Sequence, residues 1–275
     1  MADFSTLSGQ RPVTYGADTN DSTGTTITSG ASNTKGSFTE ITSATTQAHS
    51  GIMVSILLAA STDLKTDSII DIAIGAASEQ IIVPDLIYSG GASAAHGVVI
   101  IPIPVGIPSG TRISARVSSE TASTQFEITI TGLSSGLLSP SNLNRVEAYG
   151  VVAASSGGTN IDPGNTINTK GAAVELTAST TKALKGFFLG IGSNSNPATT
   201  TGSWLLDIMI GAATEQVILK DIMLRTSAVG DSIFPKSVSF IPMQIPAGSR
   251  ISARAQSTID NSIDRIVDVI FYGVR

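Results

Sequence analysis

A chain of 275 residues has room for two domains of about 100–150 residues, each with a core of its own. Charged residues make up 13% of it, about half of the ~25% usual in globular proteins, and the net charge is −5, so no basic field exists to draw in nucleic acid. The absence of cysteine excludes disulfides and thiolate metal sites, and apolar runs such as Val98–Ile107 fall far short of the ~20 residues that span a bilayer.

The first residues, Met1 to Thr6, carry neither a basic nor an apolar leader region, which sets the expectation of synthesis in a cytoplasm without a secretory signal. Residues 1–14 read as a polar arm that orders by lying across a neighbouring subunit, with Met1, Phe4 and Pro12 as possible interface residues. From Tyr15-Gly16 the chain enters a pattern that it later repeats. Asp18-Thr-Asn-Asp-Ser-Thr-Gly24 is rich in oxygen donors but lacks a distal glutamate at calcium-loop spacing, and reads as a turn. Asn20-Asp21-Ser22 matches a glycosylation sequon, which has no consequence without a secretory route.

Beyond this the signals are those of strands. Ile70, Ile72 and Ile74 alternate with Asp71, Ala73 and Gly75, and Phe126, Ile128 and Ile130 alternate with Glu127, Thr129 and Thr131, giving one apolar and one polar face. Pro84–Tyr88 and Lys220–Leu224 are short enough to form one helical turn. The proline-rich excursion Ile101–Pro108 marks a sheet edge or corner, because proline cannot donate to a central ladder. Residues 134–148, opening with Ser-Ser-Gly-Leu-Leu-Ser-Pro, read as a linker.

The second half then restates the first. Ile70–Asp85 (IDIAIGAASEQIIVPD) and Leu206–Asp221 (LDIMIGAATEQVILKD) share 10 of 16 positions, and Ile107–Val117 and Ile245–Ala255 share 8 of 11. The offset between copies drifts from 134 at Tyr15/Tyr149 to 138 at Arg112/Arg250, as loop insertions accumulate between retained strands. About eight short strands in each copy predict an all-β chain of two tandem antiparallel β-sandwich (jelly-roll-like) domains related by internal duplication. They cover residues 15–133 and 149–275.

The polar residues retained in both copies are Asp71, Glu79, Asp85, Arg112 and Arg116, matched by Asp207, Glu215, Asp221, Arg250 and Arg254. Arg112, Ser114 and Arg116 sit at period two, so both guanidinium groups leave one face of a strand. The expectation is structural: acids and arginines pair across neighbouring strands and fix register. A duplicated carboxylate active site or anion pocket is the competing reading.

Nothing else supports catalysis. Only His49 and His96 are present, neither has a counterpart in the other copy (Leu184 aligns with His49), and both are expected in loops or at the surface. No nucleophile-elbow, imidazole-pair or phosphate-cradle pattern appears, and no metal or cofactor is expected. Trp204, the single tryptophan, is expected to plug the end of a sandwich core. The competing reading makes it an interface anchor or a sugar platform.

The Ser/Thr/Gly-rich β texture and the recurring phrase I-P-x-G-[ST]-R-I-S-A-R, at Ile107–Arg116 and Ile245–Arg254, resemble minor structural proteins of tailed bacteriophage virions. The resemblance covers both repeats and not the arm. It implies a non-enzymatic, multicopy decoration, collar or tail protein whose partners are itself and other virion proteins, with no nucleic acid and no membrane. A receptor- or glycan-binding fibre module, using Trp204 and the loops near His96 and Phe234, is the alternative. Further alternatives are a double jelly-roll capsid shell protein and a hydrolase on a sandwich scaffold.

Overall fold

The computed structural model describes residues 11–59, 67–76, 78–90, 98–134, 145–193, 199–212, 214–226 and 228–275. Met1, Phe4, His96 and most of the expected arm and linker lie outside them.

The first half contains β1 (Val13–Tyr15), β2 (Thr25–Thr28), β3 (Thr39–Thr42), β4 (Gly51–Leu58), β5 (Asp67–Ile74), β6 (Gln80–Ser89), β7 (Val99–Ile103), β8 (Ile113–Ser119) and β9 (Gln125–Leu133). One sheet runs β1-β9-β4-β7, with β2 also on β9, and the other runs β3-β8-β5-β6. The second half contains β10 (Val146–Tyr149), β11 (Val151–Val152), β12 (Gly157–Ile161), β13 (Val174–Thr177), β14 (Leu184–Ser193), β15 (Ser203–Ile210), β16 (Gln216–Arg225), β17 (Ser237–Ile245), β18 (Ile251–Ser257) and β19 (Val267–Val274). Its sheets run β11-β12-β19-β14-β17, with β10 also on β19, and β13-β18-β15-β16. Each half is a jelly roll: the chain alternates between two facing sheets, and its last strand inserts between the first and the middle ones. The one helical feature among the described residues is a 3-10 turn at Ala153–Ser155.

Period-two alternation builds both cores. Ile52, Val54 and Ile56 of β4 face inward beside Phe126, Ile128 and Ile130 of β9, and meet Ile70 and Ile72 of β5 from the opposite sheet. Phe187, Leu189 and Ile191 with Val267, Val269 and Phe271 do the same in the second half. Pro102 sits on the edge strand β7, opposite Met53, where no ladder donor is required of it.

Three expectations are corrected. Val13 and Thr14, expected in the arm, pair with Gly132 and Thr131 as part of β1, and Val146–Ala148, expected in the linker, belong to β10. Both strands are too short to show a period of their own and are held by their neighbours. Pro84–Tyr88 and Lys220–Leu224 are not helical. They lie within β6 and β16, where a register shift opposite Asp71 and Asp207 places Asp85 (φ 51°) and Asp221 (φ 54°) in the left-handed region.

Candidate functional site

Asp71 faces Arg116 directly across the β5–β8 ladder, and Asp207 faces Arg254 across β15–β18. Asp71 Oδ2 accepts from Arg116 Nε at 2.8 Å, while its Oδ1 accepts from Lys35 Nζ at 2.8 Å and from the Asp85 amide at 2.9 Å. Lys35 also reaches Asp85 at 2.9 Å and the Ile69 carbonyl at 3.2 Å. The copy repeats these contacts: Asp207 is held by Lys170 at 2.7 Å, Arg254 at 3.0 Å and the Asp221 amide at 2.9 Å. Both aspartates are buried. Burial pushes the Asp71 carboxyl up. The Lys35 charge and the hydrogen bonds from Lys35, the Asp85 amide and Arg116 outweigh it, leaving the group below its ordinary value. Asp207 behaves alike.

The lysines are what sequence reasoning missed. Lys35 rides on the loop after β2, which lies along β8 through bonds from the Asn33 amide to the Ser119 carbonyl (2.7 Å) and from the Gly36 amide to the Val117 carbonyl (2.9 Å). Gly36 is obligatory there, since a Cβ would stand 2.3 Å from the Thr28 carbonyl oxygen. The loop carrying Lys170 repeats the arrangement through Asn168 and Gly171. The signal was present in the retained Thr34-Lys35-Gly36 and Thr169-Lys170-Gly171 triplets.

A second cluster joins Arg112 to Glu40 at 2.8 Å, Glu79 at 2.9 Å and the Gly75 carbonyl at 3.0 Å. Its copy joins Arg250 to Glu175 at 2.8 Å and to Glu215, which also accepts from Ser252. Its own backbone amide and Arg112 hold the Glu79 carboxyl below its usual range, and bonds from Ser252 and Arg250 do so for Glu215. Glu40 and Glu175 were also missed, although they match between copies. In both halves these clusters lie along the outside of a sheet, and each charged group spans strands or fastens a loop.

The singly occurring residues sit apart from these clusters. His49, expected in a loop or at the surface, belongs to no named strand but is buried. It lies 2.9 Å from the Tyr15 hydroxyl, and its ring rests on Gly132, where a Cβ would meet it at 2.4 Å. Leu184 lies on Gly273 in the same way, so the aligned residues do the same packing. Trp204 fills the second core at 1% exposure with its indole nitrogen donating to the Arg265 carbonyl at 2.7 Å, and so offers neither an interface nor a sugar platform. Pro12 is exposed. Asp18 accepts from the Asn20 amide at 2.9 Å, closing the turn expected there. Among the described residues no group of three or more histidines or acids is placed to hold a metal ion.

The two sandwiches meet at a seam that the sequence did not reveal. Strand β6 lays Ile87 across the outer face of the second half's β10–β19–β14 sheet, and Val146, Phe188, Ile270, Tyr272 and Val274 join the hydrophobic core of the first half. Gly190 and Gly192 form the seat: Cβ atoms there would lie 2.3 and 2.8 Å from the Ile87 side chain. The buried Tyr272 hydroxyl donates to the Asp85 carbonyl at 2.7 Å and accepts from the Ile87 amide at 2.8 Å. Burial drives that phenol's pKa well above the ordinary value of 10.0. Ser89 and Ser193 hydroxyls (3.3 Å) and Ser118 and Ser156 hydroxyls (2.8 Å) extend the seam. At one end a recess of about 450 Å³ is lined by Asp67 and Glu120 of the first half and by Val152, Thr159, Asn160 and Asp268 of the second.

No family model matches the chain, and no curated protein matches it significantly. Among solved structures, one of PNGF-II covers 96% of this chain at 10% identity with a TM-score of 0.40, and the chain spans 65% of PNGF-II. The CBM22-1-CBM22-2 tandem of Paenibacillus barcinonensis Xyn10C covers 84% of this chain, which spans 79% of it, at 11% identity and a TM-score of 0.24. The VP2 subviral particle of infectious bursal disease virus also covers 84%, with 57% of VP2 spanned, at 10% identity and a TM-score of 0.23. All three likenesses are distant.

Proposed function

We propose that this chain is a non-enzymatic virion structural protein, assembled in many copies on a phage capsid or tail, with itself and other virion proteins as partners. The observation that carries the reading is the use made of the ionic residues retained in both copies. Each is engaged within its own sandwich, tying β5, β6 and β8, or β15, β16 and β18, to each other and to a neighbouring loop. A catalytic group needs a reachable reacting atom, and Asp71 and Asp207 are instead capped by lysine and arginine on the outside of a sheet. Two jelly rolls joined by a packed seam supply a block with duplicated outer surfaces, which suits a multivalent lattice. The low share of charged residues and the recurring I-P-x-G-[ST]-R-I-S-A-R phrase point the same way.

The test is quantitative mass spectrometry and immunogold labelling of virus particles purified from cultures that carry the gene. Many copies per particle at regular positions support the reading. Particles that lack the protein while it accumulates in the cell refute it.

A further inference from the structure

The internal seam joins unlike surfaces, and the duplication supplies a second example of each that the seam leaves unused. On one side is the edge strand. Asp85 and Asp221 share their left-handed backbone, and two residues beyond them stand Ile87 and Met223. Ile87 is 1% exposed in the seam, whereas Met223 is 73% exposed and Val217 on the same strand is 40% exposed. On the other side is the outer face of the β4–β9 sheet. The ladders align Ile52 (opposite Gly132) with Phe187 (opposite Gly273), so Ser55 and Leu57 hold the places of Gly190 and Gly192, and Thr131 that of Tyr272. Beside them β7 exposes the apolar side chain of Ile100, with Val98 just ahead of the strand.

The charges of these two unused surfaces also match. Ser89 of the internal seam, which touches Ser193, is replaced on β16 by the exposed Arg225, and the place of Ser193 is taken by Leu58. Leu58 adjoins Leu57, the ladder partner of Glu127. One Glu127 oxygen accepts from the Thr26 hydroxyl at 3.0 Å, and the other is a buried atom with no hydrogen-bond partner. Leu58 packs its side chain into the first core, so an arriving guanidinium stays on the outer face of β4, where Glu127 is the neighbouring acid. Ser203 replaces Asp67, so the repeated contact also carries one acid fewer where Glu127 stands in for Asp268.

We propose that a second copy of this chain docks its Met223–Arg225 edge onto the Ser55, Leu57 and Glu127 face of the first, repeating the internal seam head to tail. This rests on the reading of the protein as a multicopy building block and names the surface by which copies join. Because the two surfaces differ, every docked copy leaves one of each open, and the series closes into a ring or continues as a filament. Ser55 and Leu57 fill the space that Gly190 and Gly192 leave open for Ile87, so the second contact stands further apart than the internal seam, and the unbranched Met223 is the more adaptable occupant for it.

The experiment uses the full-length chain and two variants, Met223→Glu and Ser55→Arg, in sedimentation velocity and light scattering over a concentration series. Thermal melts confirm that each variant is folded. Wild type assembles beyond the monomer as concentration rises, and each variant alone weakens assembly at least tenfold. An equimolar mixture of the two forms a heterodimer and stops there, since Met223→Glu keeps an intact face and Ser55→Arg an intact edge. The inference is overturned by a wild type that stays monomeric throughout, by variants that assemble as wild type does, or by a mixture that yields no dimer. A monomeric wild type that is nonetheless present in many copies on particles would sink this contact and leave the virion reading standing.

Discussion

Replacing Lys35 by methionine tests whether the duplicated ionic residues hold the fold. The ammonium touches two carboxylates and a carbonyl, and Asp71, whose side chain is 3% exposed, keeps Arg116 and the Asp85 amide after its loss. Stripping one partner from a buried pair costs about 3–5 kcal/mol. The surviving partners and the 20% exposure of the lysine itself place this case lower, at about 2–3 kcal/mol. For sandwiches of this size that is a fall of about 6–12 °C in Tm. The pH dependence follows from the same contacts. The Asp71 carboxyl lies below its ordinary 3.8, so its stabilisation is complete above that value and is lost as pH falls through the folded-state pKa. Without Lys35 the folded-state pKa rises, and acid unfolding of the variant begins at a higher pH than in wild type. Urea titrations between neutral pH and pH 3 measure both quantities, and a cycle with Asp71→Asn isolates the pair, with an expected coupling of about 1–3 kcal/mol. A Lys35→Met protein within about 0.5 kcal/mol of wild type at all pH values would show that the lysine does not hold the fold.

Other consequences are as direct. Tyr272→Phe leaves a buried amide and carbonyl without their hydroxyl, and urea unfolding should register a loss of about 1–3 kcal/mol. Gly190→Val drives a side chain into Ile87 and should part the two sandwiches, seen as a larger radius of gyration in solution scattering with each half's strand content kept. His49 is buried neutral and its pKa is lowered by burial, so wild type loses stability as pH drops below about 6.5 toward the folded-state value. In His49→Leu, which copies Leu184, that slope should vanish, and parallel denaturation curves between pH 7 and 5 check it. Trp204→Phe forfeits the bond to the Arg265 carbonyl and should lower stability by about 1–2 kcal/mol in a thermal melt.

The legible part of this molecule is the part that repeats with period two. Ile70, Ile72 and Ile74 announce a strand, and the retained Asp71 and Arg116 announce a cross-strand pair, because both signals are local to one ladder. Lys35 escaped notice because it lies on no strand and is brought to Asp71 by a loop folded over the sheet, which leaves no period to read. His49 escaped because a single glycine on another strand, Gly132, makes room for it. The seam was hidden for the opposite reason. Searching for what the copies share discards Ile87 against Met223, and Gly190 and Gly192 against Ser55 and Leu57, and these differences separate a buried surface from an open one.

The grip between the halves lies in side chains: an isoleucine on two glycines, a phenol bridging a neighbour's backbone, and facing serines. Those contacts alone should hold the two halves together, even with the chain cut between residues 134 and 145. A protease cut there should give two fragments that migrate together in native gels and separate only in denaturant, and the same two pieces, expressed from separate genes, should find each other.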